Sequence, residues 1–368
     1  MSMSFTKRIF IGFLASVVLF GPPASARIYP DVPVNHKHNN SIAALTAKDT
    51  IQGYPNGEFH PDGLINRAEA VKILTRSKFA AGVIDASLDW HKQANHYYVM
   101  FPDVPIGEWY GKYVEISYQN QIVQGYPDGL FRPADYINFA EALKVILETY
   151  KVDLSRSGFT TNKLLYVNKD EWFEKYFTYA HDHNLINQNK FYHPGQLITR
   201  GEFVEIIYRL EEVLKNRLPA YVSAADSTSD EYKITIPKLD IINVDVNFAS
   251  VYDPTSAIGI LKYGLGNYLN PPDSKKKMLL FGHSSGYAWD HSDYKTILKE
   301  INRLSNGDRI FINYKEKGYV FEIFGSEIIP ASQDHILVQN DNNNELTLYT
   351  CWPPNSLAQR YVVYGKPV

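Results

Sequence analysis

The chain has a single cysteine, Cys351, which ends the run Leu346-Thr347-Leu348-Tyr349-Thr350-Cys351, whose alternation reads as a strand. Arg360 follows nine residues later. Upstream, His283 comes directly after the apolar stretch Met278-Leu279-Leu280-Phe281-Gly282 and opens a Ser-Ser-Gly loop, so it too belongs at a strand end. His291 and His335 lie in polar loops. A thiol and an imidazole at neighbouring strand ends suit covalent catalysis through sulfur: the imidazole stabilises the thiolate and later protonates a leaving amine. Arg360, on the next strand, can donate to the oxyanion that forms when the thiolate attacks a carbonyl. Taken singly, each has a plainer reading as a buried inert thiol, a surface histidine or a solvated arginine.

The elements that must position these groups are short strands, expected at 234–236, 278–281, 309–313, 319–324, 345–350 and 361–364, with a helical segment at 294–304. Many short strands with few helices imply a barrel or sandwich. Asn340–Asn344 reads as a hairpin turn, and no metal is expected at the nearby Asp334, Asp341 and Glu345. A small polar stretch at 214–231 reads as a linker to what precedes it.

The first half repeats itself. One copy runs from Tyr29-Pro30-Asp31-Val32 through Gly53-Tyr54-Pro55 and Pro61 to Ile65-Asn66-Arg67-Ala68-Glu69. The second runs from Phe101-Pro102-Asp103-Val104 through Gly125-Tyr126-Pro127 and Pro133 to Ile137-Asn138-Phe139-Ala140-Glu141. A more worn third copy has Trp172, Leu185-Ile186, Pro194 and Ile198-Thr199-Arg200-Gly201-Glu202. In each, a proline lies six residues before the position held by Arg67, Phe139 or Arg200. Each copy reads as helix, turn, helix, and Asn66…Glu69, Asn138…Glu141 and Thr199…Glu202 resemble capping boxes. An arginine in the first turn of a helix adds its charge to the free N–H groups and the positive end of the dipole, which suits a carboxylate or phosphate. The plainer alternative is that the motif only caps the helix.

Lys7 and Arg8, an apolar run from Ile9 to Phe20 and Ala24-Ser25-Ala26 read as a secretion signal over 1–26, with an uncleaved anchor as the alternative. An exported chain with one thiol cannot use it for an internal disulfide. Lysine and arginine number 37 against 40 aspartates and glutamates, so no basic stripe points to nucleic acid. The abundant tyrosine and phenylalanine suit small aromatic cores or sugar-stacking surfaces.

The repeats resemble surface-layer homology (SLH) modules, with Ile-Asn-Arg-Ala-Glu and Ile-Thr-Arg-Gly-Glu standing where that family has Ile-Thr-Arg-Ala-Glu. The resemblance covers 27–213 as three copies, about 29–78, 101–153 and 166–213. It implies a three-pronged helical bundle that binds anionic cell-wall glycan in grooves between prongs. Arg67, Arg200, Asp31 and Asp103 are the residues expected at those grooves. Phe139 replaces the arginine in the second copy, and Tyr166 stands where the first two carry Asp31 and Asp103, so at most the two grooves using Arg67 and Arg200 should be competent.

Residues 232–368 resemble a sortase. The resemblance rests on Ile236-Pro237-Lys238-Leu239-Asp240-Ile241, Gly282-His283, Leu304-x-x-Gly307-Asp308-x-Ile310 and the intact Thr347-Leu348-Tyr349-Thr350-Cys351 with Arg360. It implies an eight-stranded β-barrel and a cysteine transpeptidase that needs no cofactor. Such an enzyme cleaves a Leu-Pro-x-Thr-Gly-like sorting signal of a surface protein or pilin and passes the acyl group to an amine on wall precursor or pilin. By position, Cys351 is the nucleophile, His283 the general acid/base, Arg360 the oxyanion or substrate clamp, and Thr350 an assistant at the oxyanion. Trp352-Pro353-Pro354 resembles the less-studied subfamilies rather than the housekeeping class. The whole reads as an exported transpeptidase held at the cell wall by its own repeats. The alternative is a wall-binding or surface-layer structural protein whose barrel is non-catalytic or purely hydrolytic.

Overall fold

The computed structural model describes residues 29–86, 101–105, 107–155, 170–215, 230–250, 254–286, 291–339 and 343–368. The expected leader at 1–26, Tyr166 and most of the linker lie outside the described residues. The molecule is a multidomain chain, a helical region followed by a closed barrel.

In the helical region, α1 (Asn39–Ala47) and α2 (Arg67–Lys78) form the first unit. The second unit is α3 (Gly111–Gln119) and α4 (Phe139–Thr149), and the third is α5 (Glu174–Asp182) and α6 (Arg200–Leu214). The second helix of each unit packs on the first helix of the next, and α6 closes the circle on α1. At the centre, three buried isoleucines pass a backbone hydrogen bond around a ring. Ile65 N–H donates to Ile198 O (3.3 Å), Ile198 to Ile137 O (3.4 Å), and Ile137 to Ile65 O (3.2 Å).

All three capping boxes form as their spacing implies, Asn66 with Glu69, Asn138 with Glu141 and Thr199 with Glu202. The two N–H groups inside each box, between its cap and its glutamate, are satisfied by a different unit. Arg67 and Ala68 donate to Asp135 O and Pro133 O (2.9 and 3.0 Å), and Phe139 and Ala140 donate to Gln196 O and Pro194 O (2.7 and 3.0 Å). Arg200 and Gly201 donate to Gly63 O and Pro61 O, both at 2.8 Å. The prolines picked out by spacing are thus acceptors for a neighbour's helix. The helix-start donors expected to bind an anion are already occupied, which corrects that part of the expectation.

The barrel strands are β1 (Tyr232–Ile236), β2 (Ile241–Phe248), β3 (Leu265–Asn267), β4 (Met278–Phe281), β5 (Arg309–Tyr314), β6 (Lys317–Pro330), β7 (Leu346–Trp352) and β8 (Gln359–Pro367). They close in the order β1-β2-β3-β4-β7-β8-β6-β5. Alternate residues such as Leu280, Leu346, Leu348 and Val363 fill the barrel. Leu279, Phe281 and Val362 face outward against a second apolar layer that includes Ala257 of α7 (Pro254–Ile260), Leu261 and Leu337. One expectation fails. Residues 294–304 are successive turns ending in a single 3₁₀ turn (Ile301–Arg303), not a helix. The expected turn at Asn340–Asn344 lies mostly outside the described residues, and β7 pairs with β4 and β8 rather than with β6.

Gly201 stands where the other units carry Ala68 and Ala140. A Cβ there would meet His38 Cδ2 at 2.5 Å and Pro61 O at 2.8 Å. Gly201→Ala should therefore destabilise the helical region by about 1–3 kcal/mol through overpacking, read as a lowered midpoint in denaturant. An unchanged midpoint would show that the ring yields at this joint.

Candidate functional site

Of the three residues singled out for thiol chemistry, Cys351 and Arg360 lie on adjacent strands and His283 lies just past the end of the next one. β4 and β7 run parallel with Phe281 beside Tyr349, and β7 and β8 run antiparallel with Cys351 beside Arg360. Carried two residues further, the first register brings His283 level with Cys351, and Gly282 N–H still donates to Tyr349 O (3.4 Å). Strand alternation gives Cys351 and Arg360 the outward parity of Leu279, Phe281 and Val362, and His283 follows Phe281 by two residues in the loop after β4. They stand at the open end of the outer apolar layer, where Phe281 stacks on Tyr268 at 4.1 Å between ring centroids. Burial pushes the Tyr349 phenol up, so it stays neutral beside the thiol. Cys351 is a free, half-buried thiol. The loop after His283 is pinned to the loop after Cys351, where Asn355 N–H donates to Ser285 Oγ (3.0 Å).

Arg360 is held in place. Its Nη1 donates to Leu357 O and Gln359 O, both at 3.1 Å, and its Nη2 pairs with Asp334 Oδ2 at 3.1 Å. A guanidinium carries five N–H donors, so this cradle leaves two for an incoming oxygen. The role of Asp334 is not legible in the sequence, because its contact with Arg360 crosses 26 residues that no local spacing connects. Thr350 differs from its expected place at the oxyanion. It has inward parity, is buried, and donates its hydroxyl to Gly282 O (2.7 Å), tying the strand of Cys351 to that of His283.

Two cavities open between the helical units. The first, about 330 Å³, is lined by Arg200 from the third unit, Tyr54, Glu69 and Lys72 from the first, and Trp109 from the second. The second, about 360 Å³, repeats the pattern one unit on, with Arg67, Tyr126, Glu141, Lys144 and Trp172. Arg200 is only 6% exposed; its Nη2 donates to Gln52 O (2.8 Å) and its guanidinium lies 4.9 Å from the Tyr54 ring. Arg67 is 8% exposed, donates from Nε to Phe131 O (2.8 Å), and lies 4.5 Å from the Tyr126 ring. Trp109 and Trp172 are 51% and 52% exposed, leaving indole surface open to a sugar ring. Burial, with Arg76 and Arg200 nearby, holds the Lys72 ammonium below its ordinary value, a strain that an anion in the cavity would relieve. Where the first unit has Arg76, the second has Glu148, so the second cavity carries more acid.

Residues 234–368 match the sortase domain family, and residues 28–71 and 101–143 match the S-layer homology domain. The chain joins a sortase domain to SLH domains. Sortase D of Bacillus subtilis is 28% identical over 115 residues, covering 29% of this chain and 52% of that one. The cellulosome-anchoring protein of Acetivibrio thermocellus is 30% identical over 122 residues, 33% of this chain and 26% of its own. A surface layer protein of Brevibacillus choshinensis is 26% identical over 125 residues, 34% of this chain and 10% of its own. The chain thus spans at most about half the length of these curated relatives. Among solved structures, a lid mutant of sortase A from Corynebacterium diphtheriae superposes with a TM-score of 0.31 at 19% identity, covering 38% of this chain and 70% of that one.

In the SLH region, Asp31 and Asp103 line neither cavity. The Asp31 carboxylate accepts from Phe59 N–H and His60 N–H, and Asp103 accepts from Phe131 N–H and Arg132 N–H. Burial would raise the Asp31 carboxyl, but these backbone donors more than offset it and hold it below its ordinary value. Both aspartates secure the turn that leads to the acceptor proline. The cavities also use Lys72 and Lys144 with Trp109 and Trp172, each pair recurring in two of the three units, and that recurrence is the signal the sequence offers for them.

Thr350→Val should cost about 1–2 kcal/mol of barrel stability, since it leaves a buried carbonyl without its donor. Thr350→Ser, which keeps the hydroxyl, should cost less; equal losses in denaturant midpoint would show that the hydroxyl bond is not what matters there.

Proposed function

We propose that the protein is a cysteine transpeptidase that works at the cell wall, anchored there by its SLH domains. The observation that carries the reading is the pairing of Cys351 with Arg360 on β7 and β8 of a sortase domain, with His283 two residues past the end of the adjoining β4. In this reading the Cys351 thiolate attacks the carbonyl carbon of a threonine in a sorting signal. The oxyanion that forms is met by donors of Arg360, which Asp334 and the two carbonyls hold in position. The C–N bond breaks as the leaving amine takes a proton from His283, and the acyl group stays on sulfur as a thioester. An amine of wall precursor or pilin then attacks, its proton passes to His283, and the thiolate returns. The apolar outer layer limits water at the thioester, which favours aminolysis over hydrolysis.

The same reading places anionic wall glycan in the two cavities, with Arg200 and Arg67 on the anion and the exposed tryptophans against sugar. The third helical unit belongs to the same module in this account, because it supplies Arg200 to the first cavity, Trp172 to the second and the last link of the backbone ring.

A peptide-library screen with hydroxylamine as acceptor tests the chemistry. Product should form with wild type and vanish in Cys351→Ala, and Arg360→Lys should lose about 10²-fold or more in rate. Product that is always hydrolytic, with amines never incorporated, would turn the assignment to a thiol hydrolase.

Cosedimentation with purified cell wall tests the anchor. Arg67→Ala with Arg200→Ala should abolish it, and Arg200→Ala alone should weaken it more than Arg67→Ala, because the first cavity carries less acid. Unchanged binding in the double variant would remove the cavities from the account.

A further inference from the structure

The third groove keeps the capping glutamate, as Glu202, but differs from the other two at the positions of their arginine, lysine, tyrosine and tryptophan. Phe139 holds the arginine's place and stacks on Tyr192 at 4.7 Å, and Glu205 stands where the other units have Lys72 and Lys144. Counted from the first helix of each unit, Asn187 and Asn189 replace Gln52/Gln124 and Tyr54/Tyr126, and Lys37 replaces Trp109/Trp172. These last three residues all touch the sortase domain, at the tip of the β5–β6 hairpin. Asn187 Nδ2 donates to Glu316 O (3.1 Å), Gly318 N–H donates to Asn189 O (2.6 Å), and Lys37 Nζ lies 3.4 Å from Glu316 Oε1.

Beneath the tip, the buried Lys190 pairs with Glu231 at 2.7 Å and with Glu316 at 3.7 Å. Burial alone would raise the Glu316 carboxyl, but Lys190 and Lys37 more than offset it and hold it below its ordinary value. Beside this pair, Phe191 stacks on Phe311 with centroids 3.9 Å apart. Phe191 N–H donates to Asn313 Oδ1 (2.9 Å), and Asn313 Nδ2 donates back to Phe191 O (2.8 Å).

We propose that the third groove is a carboxylate socket that the chain fills with its own Glu316, making this groove the joint between the SLH region and the sortase domain. The likeness to an anionic ligand rests on the glycan reading of the other two grooves, whereas the joint rests on these contacts alone. The docked end is the one away from the chemistry. β6 starts at the docked tip, and Arg360 pairs with Ile329 near its other end, twelve positions on, which is about 40 Å of strand. The anchor therefore grips the barrel without covering Cys351 and sets the direction in which the catalytic face points.

Deuterium exchange on the full chain tests the joint without glycan or peptide, so its failure is distinguishable from failure of the functional reading. In Glu316→Lys, which places a third cation in the socket, the Gly318 and Phe191 amides should exchange about a hundredfold faster or more. Core amides such as Ile312 and Leu348 should keep their protection, and the radius of gyration from small-angle scattering should rise. Glu316→Gln, which keeps the shape and loses the charge, should give about a tenfold increase at the same two amides. Unchanged exchange at Gly318 and Phe191 in Glu316→Lys overturns the proposal. Should that variant also lose core protection, Glu316→Gln decides: faster exchange at the two amides upholds the joint and wild-type exchange overturns it.

Discussion

The helical region depends on donors that no unit can satisfy for itself. The first N–H groups of a helix have no partner within it, and each one buried unpaired costs about 1–3 kcal/mol. Here each second helix hands two of them to the proline-containing turn of another unit, and the handing-on closes only when the third unit returns to Pro61 and Gly63. One or two units would leave a pair of buried donors open and an apolar seam exposed. That constraint explains why the third copy, though worn in its turn, keeps Pro194, Ile198, Thr199 and Glu202.

The same exchange decides where the arginines go. Because the backbone at the start of each second helix is seated on a different unit, its first side chain is delivered into that neighbour's cavity. Each cavity is therefore assembled from all three units, and a substitution in one unit alters a groove that another unit frames. Phe139, on the second unit, is what separates the third groove from the other two. With its arginine gone, that groove's remaining cations, Lys37 and Lys190, face a carboxylate of the same chain.

Much of this was legible because motif and element coincided. The strand at 278–281 is legible at its observed bounds, and residue type with strand-end position marks Cys351 and Arg360, which the barrel sets side by side. β2 and β3 were not foreseen. β2 follows Asp240 and contains Asn243, both with positive φ, which blurs any alternation, and β3 has only three residues. The turns at 294–304 carry apolar residues at helical spacing, but Leu298, Ile301 and Leu304 pack inward against the barrel core from a tighter backbone. Thr350 looked like a site residue because it adjoins the cysteine in sequence; parity sends it to the other side of the strand. Asp31 and Asp103 looked like ligands because they recur, yet a recurring carboxylate serves equally well to hold a recurring turn.

The two ends of β6 tie these observations together. A catalytic domain on a flexible tether samples a volume set by its linker, and its effective concentration against any fixed partner falls as that volume grows. A domain seated in a socket instead meets partners only along the direction its open end faces. With Glu316 seated as proposed, the distance from the two SLH cavities to Cys351 is set by the length of one strand rather than by linker entropy. A wall-borne amine at that distance would be favoured, and amines nearer the anchor would be out of reach whatever their chemistry. Selection among acceptors would then be geometric before it is chemical, and the third groove would be the element that imposes it.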